Sequence, residues 1–481
     1  MRTERAHTVI VGAGPAGLTA AHTLSNAGIK PIVVERGDTV GGLMRSLHRG
    51  DFIVDIGRKE LYNRIERVDR FWSELLGRDY RPYSHRGGLL YQGHIIELSP
   101  VYLGPIRGMP WQMVLGCGFD FVRAITRVSK QKPRNVEEFF YQNRGRRMTQ
   151  IFSQGFQQKL TGRKWADIPV SDSISQPSPL ATVRAAVART LSAKESNTPS
   201  GVWKHPALGT GQICDVLEET VLRNGGRLFF NARLDRVLCP GNTIEAIIVD
   251  YPSGPIRYEA QHFISSIPID PFLHAMNSGR PLNSWNADSV RKKSVVLVYL
   301  FFDEPPRFPH FWLNVTCPHT VIGRITNYAA LNGSMVPAGK TALCCEFYCF
   351  DEDPLLEIDD AGFVERSLFD CANSKLIDRE TCIDSLVVRL PGADASQNRH
   401  NWLGTQQLSL LREIQQLKNL YYVGRSDLDL ATLAGLESAQ AILSGDRAEF
   451  DEHLDPARVG IRSENKPFEF INPAGYDATL A

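Results

Sequence analysis

Residues 7–28 read HTVIVGAGPAGLTAAHTLSNAG, and their interpretation decides the fold. HTVIVGAG is a short apolar strand running into a glycine turn, and PAGLTAAHTLSNAG continues as a helix. KPIVVERG (30–37) is the next strand. The spacing is Gly12-x-Gly14-x-x-Gly17, with Pro15 and Ala16 opening the helix. Gly12 permits the turn, Gly14 lets the backbone approach a pyrophosphate, and Gly17 lets the helix pack close to the sheet. The helix N-terminus then faces the phosphates. Glu35, followed by Arg36, closes the second strand 18 residues after Gly17. That is near the spacing of about 20 expected of a carboxylate that binds ribose hydroxyls. Three glycines alone are weak evidence; the strand, turn, helix, second strand and acid together specify a dinucleotide site.

The rest of the chain must supply a second architecture. At 481 residues it exceeds what one core sustains, so two or three domains are expected. Net charge is +1, so nothing global points to nucleic acid. No apolar run approaches the ~18 residues of a membrane-spanning helix, which predicts a cytoplasmic protein without a transmembrane segment. Nine cysteines is an odd number for a disulfide framework. Cys344, Cys345 and Cys349 lie in TALCCEFYCF without paired zinc spacing, so they read as reduced core thiols and no metal site is expected.

From about 104 to 200 the pattern is helical, with basic residues at Arg123, Arg127, Lys130, Lys132 and Arg134. Asn135 and Glu138 stand at capping-box spacing and predict a helix start. Residues 192–207 read as a loop, and GQICDVLEETVLRNGG (211–226) as a helix with Ile213, Val216, Leu217, Thr220 and Val221 on one face. Six strand-like runs follow at 227–238, 243–251, 256–268, 294–304, 341–350 and 382–390, with PSGP (252–255) marking a hairpin. Strands in succession without helices between them imply an antiparallel or mixed sheet. The last unit, NLYYVGRSDLDLATLAGLESAQAILSG (419–445), is a strand ending at Gly424-Arg425 and a helix rich in small residues. The polar residues after about 450 read as a surface-wrapping tail. Gly209-x-Gly211 has no preceding strand and no third glycine, so it reads as a turn.

After Glu35 comes RGDTVGGLMRS, in which Gly41-Gly42 precedes Leu43, Arg45 and Ser46. This resembles the second dinucleotide-contact motif of the FAD-dependent amine oxidase, protoporphyrinogen oxidase and UDP-galactopyranose mutase superfamily. The 419–445 unit resembles that superfamily's C-terminal flavin motif, where a helix N-terminus closes on the flavin. Segments 71–99, 136–169, 209–237 and FISSIP (263–268) extend the resemblance over most of the chain. The resemblance implies non-covalent FAD on Gly12, Gly14, Pro15, Ala16, Gly17, Glu35, Arg36, Gly41, Gly42, Leu43, Arg45, Ser46, Val237, Ser266, Gly424, Arg425, Gly435 and Leu436. It implies an α/β protein: a Rossmann-type FAD-binding domain, a mixed or antiparallel-sheet substrate domain, and a helical insertion. The expected division is FAD-binding at 1–60, 205–268 and 391–450, substrate-binding at 61–204 (with the helical subdomain) and 269–390, and a tail at 451–481.

Departures narrow the function. The mutase helical motif Tyr-Thr-x-Lys-x-Trp is matched by Phe156-Gln157-Gln158-Lys159-Leu160-Thr161, so only the Lys remains. No Cys lies between 383 and 481, against a cysteine-linked flavin of the kind that precedes the C-terminal motif in some relatives. The loop after the strand FIVDIG carries Arg58-Lys59-Glu60 where relatives have a small or His-containing segment near the flavin. The leading expectation is an FAD-dependent oxidase, dehydrogenase or desaturase of a small biosynthetic intermediate. Arg58 and Lys59 are its candidate catalytic residues, with Tyr62, Lys159 and Arg425 as substrate contacts and oxygen or NAD(P)H as redox partner. An ion-pair network around Glu60 is the competing reading of Arg58 and Lys59. A redox-neutral sugar-nucleotide mutase is the alternative. A non-catalytic binding protein on the same scaffold, like the Rab GDP-dissociation inhibitors, is the alternative of another class.

Overall fold

The computed structural model describes residues 1–61, 65–83, 86–98, 108–126, 132–170, 203–279, 293–331, 334–350, 353–392, 413–414, 416–425 and 427–453. Tyr62, Arg127, Lys130, most of the 192–207 loop and nearly all of the expected C-terminal tail lie outside the described residues.

Strand Arg2–Val11 is the centre of the first sheet, parallel to Ile32–Val34 on one side and to Ile256–Ser265 on the other. It begins earlier than the apolar pattern suggests. Residues 2–6 pair in register with 256–260, and the Arg5–Glu259 ion pair at 3.0 Å helps carry this half beyond the apolar run. The full order is Arg233–Leu238, Ala246–Asp250, Ile256–Ser265, Arg2–Val11, Ile32–Val34, Arg227–Phe229, with Leu420–Tyr422 joining the end of Ile256–Ser265. The hairpin at 252–255 joins two antiparallel members, as its turn residues predict. Helices Pro15–Asn26, Gly211–Arg223 and Leu428–Ser444 cover one face, where Leu18, Val33, Leu217, Ile264 and Ala434 share a core. A Cβ on Gly435 would lie 2.4 Å from the Ala16 carbonyl oxygen, so this glycine sets how closely the last helix approaches the first. Helix Glu66–Leu76 puts Val68, Trp72 and Leu76 into this same core, although it falls in the segment expected to be substrate-binding. Phe263, Phe272 and Tyr422 fill the opposite face.

The second sheet runs Cys382–Leu390, Lys293–Phe302, Thr341–Phe350, Arg324–Asn327, Trp312–Val315, Gly87–Tyr91, His94–Glu97. Every residue of Thr341–Phe350 is buried. Cys345 and Cys349 face a layer built with Phe363 and Cys371, and Cys344 faces one built with Phe52, Val54 and Ile56. All nine cysteines are free thiols. The helical insertion packs on this sheet through Leu89, Ile96, Cys117 and Ile151. Asn135 Oδ1 accepts the Glu138 N–H at 2.9 Å and starts helix Val136–Arg144; the Glu138 carboxylate turns back to the Arg134 N–H.

Candidate functional site

The first glycine motif separates into positions the protein needs and one it does not. Gly12 has φ +98°, and a Cβ there would meet Ser266 Oγ at 2.4 Å. A Cβ on Gly17 would meet the Gly12 carbonyl oxygen at 2.0 Å. Ser266 donates its hydroxyl to the Val11 and Gly12 carbonyls at 3.1 and 3.0 Å, which fixes the turn from beneath. A Cβ on Gly14 would meet nothing within 4 Å. Gly14 is the N-cap of helix Pro15–Asn26, which carries no side-chain cap and no acid in its first turn. Its orphan N–H groups open onto that space and suit an anion. Gly42, at φ +53°, borders the same space, with its own missing Cβ position 3.6 Å from Gly14 Cα. The Gly41 N–H donates to the Ala13 carbonyl at 2.8 Å, and Arg45 donates to the Gly42 carbonyl at 3.0 Å, so the second glycine pair is fastened to the first motif. Leu43 is 43% exposed beside them.

Glu35 is oriented by two backbone donors, Ala13 N–H and Gly37 N–H, each at 2.7 Å to a different oxygen. Each oxygen keeps a further lone pair for a hydroxyl. Asn231 and Ala232 N–H groups bond the Gly37 and Glu35 carbonyls, so the strand leading to Val237 starts beside this acid. Val237 itself lies further along, fully buried and opposite Ile247. Its side chain belongs to the core, so the adenine contact that the resemblance implies for it would come from its backbone; the residues next to Glu35 are Asn231 and Ala232. Arg36 is exposed.

The charged loop emerges from strand Phe52–Asp55, which pairs with Ser46–Arg49. Asp55 is fully buried. It accepts from Ser46 Oγ at 2.6 Å and from Thr210 N–H at 2.8 Å, and His205 Nε2 lies 3.2 Å from its other oxygen. Burial alone would raise the Asp55 pKa; His205, Ser46 and Thr210 together outweigh it and hold the carboxyl below its ordinary value. Gly209 lies in the turn that leads into helix Gly211–Arg223, which Gly211 opens, and the missing side chains of both serve this contact. Cβ atoms there would lie 2.3 and 2.9 Å from Ser46 Oγ. Tyr299 and Tyr328 donate their hydroxyls to the Asp55 carbonyl at 2.7 and 2.8 Å, which clamps the start of the loop.

Beyond the clamp the two adjacent cations diverge. Arg58 lies 3.1 Å from Glu60 and stacks 4.7 Å above the Trp312 ring, while its backbone N–H donates to Glu346 at 2.9 Å. Glu60 in turn accepts the Trp312 indole N–H at 2.8 Å, and Arg324 pairs with Glu346 at 3.0 Å. Lys59 has no hydrogen-bond or ion-pair partner among the described residues, and remains partly exposed. Burial of its surroundings pulls its pKa below the ordinary lysine value, against the opposing pull of Asp55 and Glu346. The ion-pair network expected around Glu60 therefore claims Arg58 and leaves Lys59 out.

The remaining candidate residues are placed as follows. Lys159 clips two strands together where they are joined: its ammonium donates to the Val315, Cys317 and Ile322 carbonyls at 2.9, 2.8 and 3.0 Å. These three bonds use its donors, and burial lowers its pKa to about 8. Ser46 spends its hydroxyl on Asp55 and on the Gly211 N–H instead of facing the nucleotide cleft. Gly435 and Leu436 are buried, and Gly435 meets the first helix as described above. Arg425 donates to the Gly424 carbonyl at 2.7 Å, and burial lowers its pKa to about 10. A Cβ on Gly424 would strike the Tyr422 hydroxyl at 2.5 Å. The sequence reading missed Asp55, His205, Arg324 and Glu346; only the adjacency of Asp55 to the RKE loop hinted at any of them.

The family described as an NAD(P)-binding Rossmann-like domain matches residues 10–75. The structure of reduced UDP-galactopyranose mutase overlays with a TM-score of 0.70 at 20% identity, covering 95% of this chain and 99% of that one. The chain shares this fold with a putative protoporphyrinogen oxidase from Exiguobacterium as well, at a TM-score of 0.63 and 14% identity over 92% of this chain and 99% of that one. A putrescine oxidase bound to putrescine shares this fold, with a TM-score of 0.54 at 16% identity over 92% of this chain and all of that one. An L-amino acid oxidase of Crotalus durissus cumanensis is 44% identical over 55 residues. That match spans 11% of this chain and 11% of the oxidase, so it bears on a short segment and not on the whole oxidase.

Proposed function

We propose that this chain is an FAD-dependent oxidase, dehydrogenase or desaturase acting on a small biosynthetic intermediate that carries an anionic group. The observation that carries the cofactor assignment is the open space at Gly14, bordered by Gly42 and faced by an uncapped helix N-terminus. The chain itself does not need a glycine there for packing, whereas a pyrophosphate would. Glu35, held by two backbone donors, would take the ribose hydroxyls, and the N–H groups at the start of helix Pro15–Asn26 would take the phosphates. Bound FAD supplies hydride acceptance from a substrate C–H bond. No Cys follows Cys382, in keeping with non-covalent attachment.

The chain's own contribution to turnover is positional and electrostatic. Arg58, Glu60, Trp312 and Glu346 hold the loop, and Lys59, without an ion-pair partner among the described residues, offers the cation that would grip a substrate carboxylate. Oxygen is the simplest final acceptor. The mutase reading stands second, supported by the overlay along almost the whole chain; in it NAD(P)H would be the reductant. Lys159 gives that reading no help, because its donors are occupied.

The test is FAD titration of wild type and Lys59→Met, followed by turnover with anionic and neutral analogues of any substrate found. Equal flavin binding with selective loss of turnover on the anionic analogue supports the assignment. Equal turnover of both analogues by both proteins rejects the role of Lys59.

A further inference from the structure

Helix Trp111–Thr126 has two apolar faces where a surface helix ordinarily has one. Met113, Cys117 and Ala124 point into the protein, Cys117 and Ala124 being buried and Met113 packing with Cys117 against Leu89 and Ile96. Trp111, Leu115, Phe119 and Val122 are 67%, 62%, 66% and 54% exposed. At about 100° per residue these four fall within roughly 80° of one another, a stripe about 16 Å long opposite the buried face. Other exposed large apolar side chains among the described residues are scattered over separate elements. An aligned aromatic and aliphatic stripe needs an occupant more than single exposed residues do.

Charge indicates which occupant. Residues 123–147 contain eight basic and two acidic side chains, although the whole chain carries only +1. Arg123 and Arg146 are exposed, and Arg123 follows the stripe directly. Two copies meeting through this face would bring like-charged segments together, which costs association energy. An anionic surface would be attracted instead. Apart from the Trp111 indole N–H, the stripe side chains have no hydrogen-bonding atoms with which to recognise a protein partner. No described helix is long and apolar enough to cross a membrane.

We infer that helix Trp111–Thr126 is an interfacial helix that seats the protein on an anionic lipid bilayer. Trp111, Leu115, Phe119 and Val122 enter the headgroup boundary, and Arg123 and Arg146 pair with acidic headgroups. The inference stands on this helix and the basic residues that follow it, and is independent of the flavin reading.

The experiment sediments the full-length, FAD-loaded protein with vesicles of phosphatidylcholine alone and of phosphatidylcholine mixed with phosphatidylserine. Wild type is expected to pellet with the mixed vesicles and to be partly released by high salt. Leu115→Glu/Phe119→Glu should bind more than roughly tenfold more weakly, because two large apolar side chains no longer transfer. Its flavin content and melting temperature should match wild type, since both positions are exposed. Arg123→Glu/Arg146→Glu should lose the preference for acidic lipid. Wild type left in the supernatant with both vesicle types overturns the inference. So does a wild-type dimer that Leu115→Glu/Phe119→Glu dissociates without any change in vesicle binding, which would assign the stripe to a second copy.

Discussion

His205 Nε2 lies 3.2 Å from Asp55 Oδ2, and both side chains are completely buried. His205 Nδ1 faces the Pro206 carbonyl at 2.9 Å, and Asp55 also takes Ser46 and Thr210. The pair fastens the root of the Arg58-Lys59-Glu60 loop to a strand remote in sequence and to the N-terminus of helix Gly211–Arg223.

Asp55→Asn should therefore destabilise the fold by about 3 kcal/mol, because it leaves His205 buried without its carboxylate. The Asp55 pKa is lowered on folding, so its contribution is complete above the ordinary value of 3.8. That contribution is lost as pH falls through the folded value. Denaturant unfolding of both proteins should show their difference shrinking below pH 3.8; a difference independent of pH would refute the pair's role.

The glycines should part company under substitution. Gly17→Ala should lower stability by about 1–3 kcal/mol, since its Cβ would sit 2.0 Å from the Gly12 carbonyl oxygen. Gly14→Ala should leave the apoprotein's melting temperature nearly unchanged and weaken FAD binding roughly ten- to hundredfold. Thermal melts of the apoproteins with FAD titrations separate the two effects.

Lys59→Met should retain flavin and lose about ten- to hundredfold in kcat/KM on an anionic substrate, the value of a charged hydrogen bond. The Lys59 ammonium is lost at a pH below the ordinary lysine value of 10.5. Wild-type kcat/KM should consequently fall on the alkaline side before that pH, and the variant's profile should lack this limb.

Lys159→Met should cost about 2 kcal/mol of stability and spare both flavin content and turnover. A large change in KM with an unchanged melting temperature would restore Lys159 as a substrate contact.

The contrast among these residues shows what a sequence carries. Gly12, Gly14, Gly17 and Glu35 were legible because strand period, turn chemistry and helix start act within about thirty residues. Five of the six later strand runs were legible from apolar patterning, and the Asn135 cap from a three-residue spacing. The run 227–238 is instead two strands, Arg227–Phe229 and Arg233–Leu238, at opposite ends of the first sheet, because the bend at 230–231 breaks a run whose apolar pattern is continuous. Lys159 was not, since its three carbonyl partners lie on a distant segment and leave no side-chain signature. Asp55 and His205 are far apart in sequence, with two strands of the second sheet and the helical insertion between them, so no local pattern pairs them. Arg58 and Lys59 looked equivalent because local sequence cannot tell which cation a distant Trp312 and a nearby Glu60 will hold.

Anaerobic mixing of the FAD-loaded protein with candidate small metabolites, following the flavin absorbance, tests the central claim most directly. The account predicts bleaching by an anionic metabolite alone, with recovery when oxygen is admitted. A protein that takes up no FAD, or one bleached only by NAD(P)H with no net substrate oxidation afterwards, would contradict it.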